Sequence, residues 1–201
     1  IRITAKCMEV NEAKTLIAAM EALVNTRLKQ YIYGTDDETL ASYLGKELLR
    51  TESTIAFAES CTGGLASSLV TDVPGSSEYL LGSAVTYSNM AKHKLINVSE
   101  ESLEAYGAVS WPVACEMAQG VRELFGTTYG VGITGIAGPG GATEDKPVGL
   151  VYMAVADADG VKWVKHVFGG TRTDNKMRSA LTAISMVIDR IKEKETENKD
   201  K

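Results

Sequence analysis

The sequence predicts an α/β fold with three layers, in which helices cover both faces of a mixed β-sheet. Short apolar runs typical of buried strands alternate along the chain with longer segments that have helical spacing. The tetrapeptide Asp-Ala-Asp-Gly at 157–160 lies between two β-prone runs, which predicts one hairpin and therefore an antiparallel pair. Ahead of Gly34 the pattern is that of a small α+β fragment, with a strand at 2–6, a helix at 11–28 and a strand at 31–33. We therefore place a domain boundary near Gly34.

Helix starts and turns place the remaining elements. Two aspartates precede a helical pattern over about 38–50. A helix is expected to start at Ser88-Asn89, and Ser99 is suited to cap another short helix. Pro112 suits the first turn of a longer helix that ends near Phe125. Further helices are predicted over 62–71 and 173–192, with strands over 54–58, 129–134, 148–156 and 161–168 and one more strand ending at 84–87.

The composition restricts the classes of function. With 44% hydrophobic and 23% charged residues, the chain has the composition of an ordinary globular protein. Its net charge of -5 argues against a protein that coats nucleic acid, and no apolar run reaches the roughly 18 residues that a membrane span needs. Three widely spaced cysteines fit reduced thiols, so we expect a cytoplasmic protein. Two isolated histidines offer no metal-ligand spacing, so we expect no metal ion.

Ser60 is the strongest candidate for chemistry. Strand 54–58 runs into Glu-Ser-Cys-Thr-Gly-Gly over 59–64, and a helical stretch follows. Such a turn brings a serine hydroxyl beside the free N–H groups of a helix start, which can cradle an anion or a developing oxyanion. The residues expected to form this cradle are Thr62, Gly63 and Gly64. We expect Glu59 to fix the turn and Cys61 to point away from Ser60.

A serine hydroxyl needs an activating base, because it is a poor nucleophile by itself. His93 and His166 are the two histidines of the chain, and both lie beside lysines in segments that favour surface or packing roles. Lys92 follows a second strand-to-helix turn, which is expected to open on the same sheet edge as Ser60. It is either a base with a lowered pKa or a solvated helix lysine, and the spacing alone leaves both open. Tyr87 is placed to hydrogen-bond the amine or the serine.

Two glycine-rich segments are candidates for holding the rest of a substrate. Residues 135–141 match neither a Walker A loop nor a dinucleotide fingerprint. They are either a wall of exposed backbone N–H groups, with the Thr134 hydroxyl beside it, or a flexible linker. Arg172 follows Gly-Gly-Thr and precedes a helix, which suits a phosphate monoester, although a structural role is equally open.

Five separated motifs carry a resemblance to a known family: AESCTGG at 58–64, VTYSNMAK at 85–92, GAVS at 107–110, GIAGP at 135–139 and KPVG at 146–149. With these motifs in this order, the chain resembles the CinA C-terminal family over about 38–192. The resemblance implies a nicotinamide-nucleotide amidase, which converts nicotinamide mononucleotide to nicotinate mononucleotide and ammonia without a cofactor. It implies Ser60 as nucleophile, Lys92 as general base and Tyr87 as its helper. The residues assigned to substrate binding are Glu59, Thr62, Gly63, Gly64, Thr134, Gly135, Ala137, Gly138 and Arg172.

The resemblance also implies a domain organisation. Residues 1–36 are similar to the end of the small KH-like linking region of two-domain CinA proteins, and 37–192 to the amidase domain. Residues 193–201 are expected to form a charged flexible tail. We expect the chain to be part of a longer protein, in which a molybdopterin-binding-like domain precedes it. No GxxG occurs in residues 1–36, so we do not infer RNA binding. Family members are commonly dimers, which implies a homodimer.

Two other functions stay open at this point. The same glycine loops and Arg172 suit a nucleotide-binding regulatory module without turnover. The name of the family suggests instead an interaction module of the competence machinery, although nothing in the sequence specifies a partner. Release of ammonia from the mononucleotide would separate the enzyme from both.

Overall fold

The structure, a computed structural model, describes residues 1–199. It divides the chain into two units, Ile1–Thr39 and a second unit that begins at Leu40. The division lies shortly after Gly34, where the sequence predicts a boundary. The domain assignments 1–36 and 37–192 stay predictions.

The first unit is built on one helix. Helix α1 covers Val10–Leu28, as the apolar spacing predicts, and a single turn of 3-10 helix follows at Lys29–Tyr31. The strands predicted at 2–6 and 31–33 are wrong, because no strand is described within residues 1–39. A β-prone segment becomes a strand only where a neighbouring strand satisfies its backbone N–H and C=O groups, and this unit offers no such neighbour. The KH-like character of the fragment stays a prediction.

The second unit alternates strands and helices in the order that the sequence predicts. Its helices are α2 Leu40–Arg50, α3 Leu65–Thr71, α4 Asn89–Ile96, α5 Glu100–Tyr106, α6 Trp111–Phe125 and α7 Arg172–Lys199. Its strands are β1 Ile55–Glu59, β2 Leu80–Val85, β3 Tyr129–Gly135, β4 Leu150–Asp157 and β5 Gly160–Val167.

Helix α7 is longer than expected. The sequence pattern predicts an end near residue 192, whereas the helix continues to Lys199. Contacts with the body of the unit explain the extension: Lys194 Nζ lies 3.1 Å from a carboxylate oxygen of Asp157, and Glu195 forms an ion pair with Arg50. The flexibility predicted for 193–201 stays a prediction, and the end of that segment lies outside the described residues.

The described strands of the second unit form one mixed sheet of five strands in the order β2-β1-β3-β4-β5. Strand β1 pairs in parallel with both β2 and β3, whereas β4 is antiparallel to β3 and to β5. The predicted hairpin is confirmed, with Asp157 paired to Gly160. Because β2, β1 and β3 run in the same direction, their carboxyl ends meet at one edge of the sheet, where ligand sites of α/β proteins collect.

Two apolar layers enclose the sheet, which confirms the three-layer prediction. Successive side chains of a strand point to opposite faces, so Ile55 and Phe57 lie on one face of β1 and Ala56 and Ala58 on the other. Helices α2, α3 and α7 cover the first face with a cluster that includes Leu44, Leu48, Ala66, Val70, Ile184 and Ile188. Helices α4, α5 and α6 cover the second face with Ile96, Leu103, Val113 and Met117.

Glycines let α6 approach its neighbours at backbone distance. A Cβ on Gly120 of α6 would lie 1.8 Å from the carbonyl oxygen of Ile96 at the end of α4. A Cβ on Gly132 of β3 would lie 2.2 Å from the carbonyl oxygen of Ala114 in α6. Since both neighbours are backbone atoms, neither contact can be relieved by a side-chain rotation. The position of α4 above the sheet is therefore fixed through α6.

We predict that Gly120→Ala lowers the free energy of unfolding by about 1–3 kcal/mol, although alanine is the better helix former. The added methyl group must push α4 away from α6. Urea denaturation monitored by circular dichroism measures the effect. Gly140→Ala is the matched control, because a Cβ there meets nothing within 4 Å. Equal stability of the two variants would contradict the close packing.

Candidate active site

The candidate site lies at the carboxyl ends of the parallel strands. Ser60 follows β1, the central strand of the three, and its backbone N–H donates to the carbonyl of Ile133 in β3 at 2.9 Å. On the other side, the N–H of Thr86 donates to the carbonyl of Glu59 at 2.9 Å. The sheet hydrogen bonds thus continue to the residues of the turn. The start of the turn is therefore held between β3 and the residue that follows β2.

Helix α4 delivers Lys92 to the same edge. The helix begins directly after Ser88, as the sequence predicts, and the Ser88 side chain caps it by accepting from the N–H of Ala91 at 3.1 Å. Lys92 and Ile96 stand one turn apart on the inner face of α4, and both are buried. Ile96 joins the apolar layer, so the lysine is directed towards the sheet as well. The open alternative of a solvated lysine is wrong, because Lys92 is 1% exposed.

The Lys92 amine and the Ser60 hydroxyl lie within hydrogen-bond distance. Nζ is 3.1 Å from Ser60 Oγ and donates to the carbonyl oxygen of Thr86 at 2.7 Å. Among the described residues no carboxylate forms an ion pair with this amine. Burial, the dominant effect, lowers the pKa of Lys92 from 10.5 to about 8, because the charged form loses its hydration. At pH 7 about a tenth of the amine is therefore unprotonated, whereas for an ordinary lysine the fraction is below about one in a thousand.

Glu59 holds the turn together from beneath. Its side chain is fully buried, and its two carboxylate oxygens accept from the backbone N–H groups of Gly64, Ala66 and Ser67 at 2.8–3.1 Å. The Ser67 hydroxyl donates to it as well, at 2.8 Å. A carboxylate at the start of a helix is stabilised by these free N–H groups and by the helix dipole. The role expected of Glu59 in fixing the turn agrees with this geometry, which leaves its carboxylate no exposed oxygen for a substrate.

The backbone N–H groups around Ser60 are only partly available for a ligand. The N–H of Gly63 donates to the carbonyl of Ser60 at 3.1 Å, and that of Gly64 donates to Glu59. The expectation that these two glycines supply an oxyanion cradle is therefore corrected. Among the described hydrogen bonds, the N–H of Thr62 has no acceptor, and that of Cys61 contacts only the sulfur of its own side chain. They follow Ser60 directly and are the donors that remain.

Tyr87 and Arg172 meet each other and not the amine. The Tyr87 hydroxyl accepts from Arg172 at 3.1 Å, and the other end of the guanidinium donates to the carbonyl of Gly138 at 2.6 Å. The expected hydrogen bond from Tyr87 to Lys92 or Ser60 is absent from the described contacts, because the Thr86 carbonyl occupies that position. Arg172 thus connects the segment after β2 with the loop after β3, across the end of β1.

The glycine-rich loop after β3 is anchored by side chains. The Thr134 hydroxyl donates to the carbonyl of Ala108 at 2.7 Å, and Asn175 of α7 donates to the carbonyl of Ala137 at 3.0 Å. Gly135 remains part of β3 and pairs with Val151 of β4. The loop is therefore a fixed wall beside Ser60, and the flexible-linker alternative does not fit these contacts.

The remaining candidates from the sequence lie outside this arrangement. Cys61 packs in the apolar layer that α2, α3 and α7 cover, on the face of the sheet away from α4. Burial raises the pKa of its thiol to about 11. His93 contacts the carbonyl of Val98, and His166 stacks on Phe168. Within residues 1–199, histidines, cysteines and acidic side chains form no group of three that could hold a metal ion. In the same range, no helix combines the length and apolar character that crossing a bilayer requires.

A comparison with models of protein families shows to which family the chain belongs. The family model of the CinA C-terminal domain matches residues 37–191, which is most of the chain. The chain belongs to the CinA C-terminal domain family. The Ser60 turn, α4, the glycine-rich loop and the start of α7 all fall inside the matched CinA domain.

Curated relatives agree with this family. A "Putative competence-damage inducible protein" of Moorella thermoacetica is 48% identical over 187 residues, which cover 93% of this chain and 45% of the relative. A "CinA-like protein" of Gloeothece citriformis is 42% identical over 194 residues, covering 96% of this chain and 46% of the relative. The chain thus spans about half the length of these relatives.

Solved structures share the fold of the CinA domain. The competence/damage inducible protein CihA of Agrobacterium tumefaciens superposes with a TM-score of 0.74 at 36% identity, covering 79% of this chain and 97% of that protein. A CinA superfamily protein of Escherichia coli superposes with a TM-score of 0.71 at 26% identity, covering 81% and 97%.

Sequence reasoning missed three contributors to the site. The Thr86 carbonyl orients the amine, but a backbone acceptor leaves no signal in the residue type. Asn175 anchors the Ala137 carbonyl, and its own side-chain oxygen is buried without a protein partner. Lys176 lies beside the Ser60 turn, where a Cβ on Gly63 would be 3.8 Å from its Nζ. Asn175 and Lys176 lie in the first turns of α7. The Gly-Gly-Thr-Arg segment at 169–172 is the one sequence signal that points to this part of the chain.

We predict that Glu59→Gln destabilises the second unit by about 2–3 kcal/mol. The amide nitrogen of glutamine is a donor and would face backbone N–H groups, so at least one buried N–H loses its acceptor. Urea unfolding measures the loss. Glu78→Gln is the control, because Glu78 is exposed and close in sequence. A Glu59→Gln protein as stable as the control would show that the turn does not depend on this carboxylate.

Proposed function

We propose that the CinA domain of this chain is a nicotinamide-nucleotide amidase of the serine–lysine type. The observation that carries the proposal is the 3.1 Å contact between Ser60 Oγ and the buried Lys92 amine, whose pKa is lowered to about 8. A hydroxyl beside an unprotonated amine is an activated nucleophile for acyl transfer. The substrate class, nicotinamide mononucleotide, comes from the family resemblance and is the finer part of the proposal.

In the first step Lys92 accepts the proton of Ser60, and Oγ attacks the carboxamide carbon. The Thr86 carbonyl supports this direction of transfer, because it holds one N–H of the amine at 2.7 Å and leaves the lone pair free to face Ser60. The pyridinium ring of the substrate carries a positive charge, which further disfavours a protonated lysine nearby. The amine therefore enters the reaction as a base.

The tetrahedral intermediate places negative charge on the former amide oxygen. The N–H groups of Cys61 and Thr62, which bind no other residue, are the donors that we assign to it. Each donor of this kind typically contributes about 3–4 kcal/mol to the transition state. Glu59 has no direct contact with the reacting atoms in this mechanism. It keeps the turn in shape, so that the two donors stay directed at the oxyanion.

Ammonia leaves when Lys92 returns its proton to the amide nitrogen and the C–N bond breaks. The product at this stage is an ester between Ser60 and the nicotinoyl carbon. A water molecule then gives a proton to Lys92 and its oxygen attacks the ester carbon. The ester bond breaks, Ser60 Oγ regains the proton from Lys92, and nicotinate mononucleotide is released. The amine acts twice as base and twice as acid, which a pKa near neutrality favours.

The remaining assignments follow the site walls. We assign residues 135–138, Thr134, Gly63 and Gly64 to the walls of the substrate pocket, because they lie at or just beyond the carboxyl ends of β1 and β3, beside Ser60. Arg172 has its guanidinium bound to Tyr87 and Gly138, so a substrate phosphate would compete for those donors. The homodimer and the cytoplasmic location stay predictions.

We predict that Ser60→Ala abolishes release of ammonia from nicotinamide mononucleotide, with a loss of about a thousandfold or more in kcat. Lys92→Met should fall to a similar level, because the hydroxyl then has no base. A coupled glutamate dehydrogenase assay measures ammonia. Lys94→Met is the matched control: it removes the same charge from an exposed position of α4 and should change the rate less than twofold.

A Ser60→Ala protein that releases ammonia at the wild-type rate would end the amidase proposal. Wild-type protein that binds the mononucleotide tightly without producing ammonia would favour the non-catalytic nucleotide-binding module instead.

A further inference from the structure

An unassigned cation lies over the turn that carries Ser60. The nearest atom to the position of a Cβ on Gly63 is Lys176 Nζ, at 3.8 Å. The N–H of Gly63 is bound to the carbonyl of Ser60 itself, at 3.1 Å. The ammonium group therefore lies close to the nucleophile segment, although it comes from a helix more than a hundred residues further along the chain.

Lys176 has unused hydrogen-bonding capacity in this position. Its side chain is partly buried, and among the described contacts it has no ion pair and no hydrogen bond. A partly buried ammonium group usually has a partner, since its loss of hydration is costly. The carboxylate of Glu59 does not serve, because its oxygens are taken by the N–H groups of the α3 start and by Ser67.

Arg172 stands one turn before Lys176 on α7, so both side chains project from the same side of the helix. The guanidinium is also close enough to lower the pKa of the Cys61 thiol through its charge, against the larger effect of burial that raises it. Its described hydrogen bonds, however, go to Gly138 and Tyr87. Of these two cations near the turn, Lys176 is the one that has no described hydrogen bond.

We propose that Lys176 anchors the phosphate monoester of the substrate above Gly63, and that this contact makes the site select a phosphorylated nucleoside over the unphosphorylated one. The inference rests on the substrate class of the proposed function, but not on hydrolysis. Gly63 suits such a role because it has no side chain between the ammonium and the turn, and its φ of +66° is unfavourable for other residues. The positive charge of Arg172 also attracts this phosphate, while its hydrogen bonds to Tyr87 and Gly138 hold the glycine-rich loop in place.

The test compares ligands with and without the phosphate. Binding of nicotinamide mononucleotide, nicotinamide riboside and inorganic phosphate is measured by titration calorimetry in the Ser60→Ala background, which prevents turnover. Lys176→Met should weaken mononucleotide binding by about 10- to 100-fold, the value of one charge-assisted hydrogen bond. Riboside binding should change less than twofold, and inorganic phosphate should weaken in parallel with the mononucleotide. Lys176→Arg should retain most of the preference.

Lys94→Met is the control for net charge and should leave all three affinities unchanged. Thermal unfolding of each variant establishes that it is folded, and Lys176→Gln replaces the methionine variant if that protein does not fold. Unchanged mononucleotide binding, an equal loss for mononucleotide and riboside, or a wild-type protein without preference between them would each overturn the inference. A Lys176-dependent preference in a wild-type protein that releases no ammonia would support the phosphate site and refute the amidase instead.

Discussion

The burial of one lysine amine beside a serine hydroxyl is the constraint on which the rest of the site depends. Lowering the pKa of Lys92 from 10.5 to about 8 corresponds to about 3 kcal/mol. The unfolded chain binds the proton more tightly than the folded one. This cost to folding is therefore present in full below about pH 8 and disappears as the pH rises through 10.5. The fold spends stability at neutral pH to keep an amine that can act as a base.

Several contacts away from the reacting atoms maintain this arrangement. Hydrogen bonds that extend the sheet hold the start of the Ser60 turn beside β3 and the residue after β2. The Glu59 carboxylate accepts from backbone N–H groups at the start of α3 and so fixes the shape of the turn. Gly120 allows α6 to meet the backbone of α4 directly, which fixes the helix that carries Lys92. Substrate binding then falls to the loop after β3 and to the first turns of α7.

Much of this could be predicted from the sequence, because local patterns determine it. A strand that breaks into a serine and two glycines predicts the Ser60 turn, and a polar helix start before Lys92 predicts α4 at the same sheet edge. The partners of individual groups could not be predicted, since they are set by tertiary contacts. Nothing in the residue types distinguishes the Thr86 carbonyl from the Tyr87 hydroxyl as the acceptor of the amine. The strands predicted before Gly34 are absent from the described residues for a similar reason, because a segment forms a strand only beside another strand that pairs with it.

The protonation of Lys92 is the quantity that tests the account most directly. The chain can be labelled with 13C at the lysine Cε positions and titrated by NMR, with the Lys92 signal assigned by its absence from Lys92→Met. We predict a titration midpoint of about 8 for Lys92, about 2.5 pH units below the ordinary lysine value, because burial disfavours the charged amine. A midpoint near 10.5, the ordinary lysine value, would mean that the amine is charged throughout the physiological range and cannot accept the proton of Ser60.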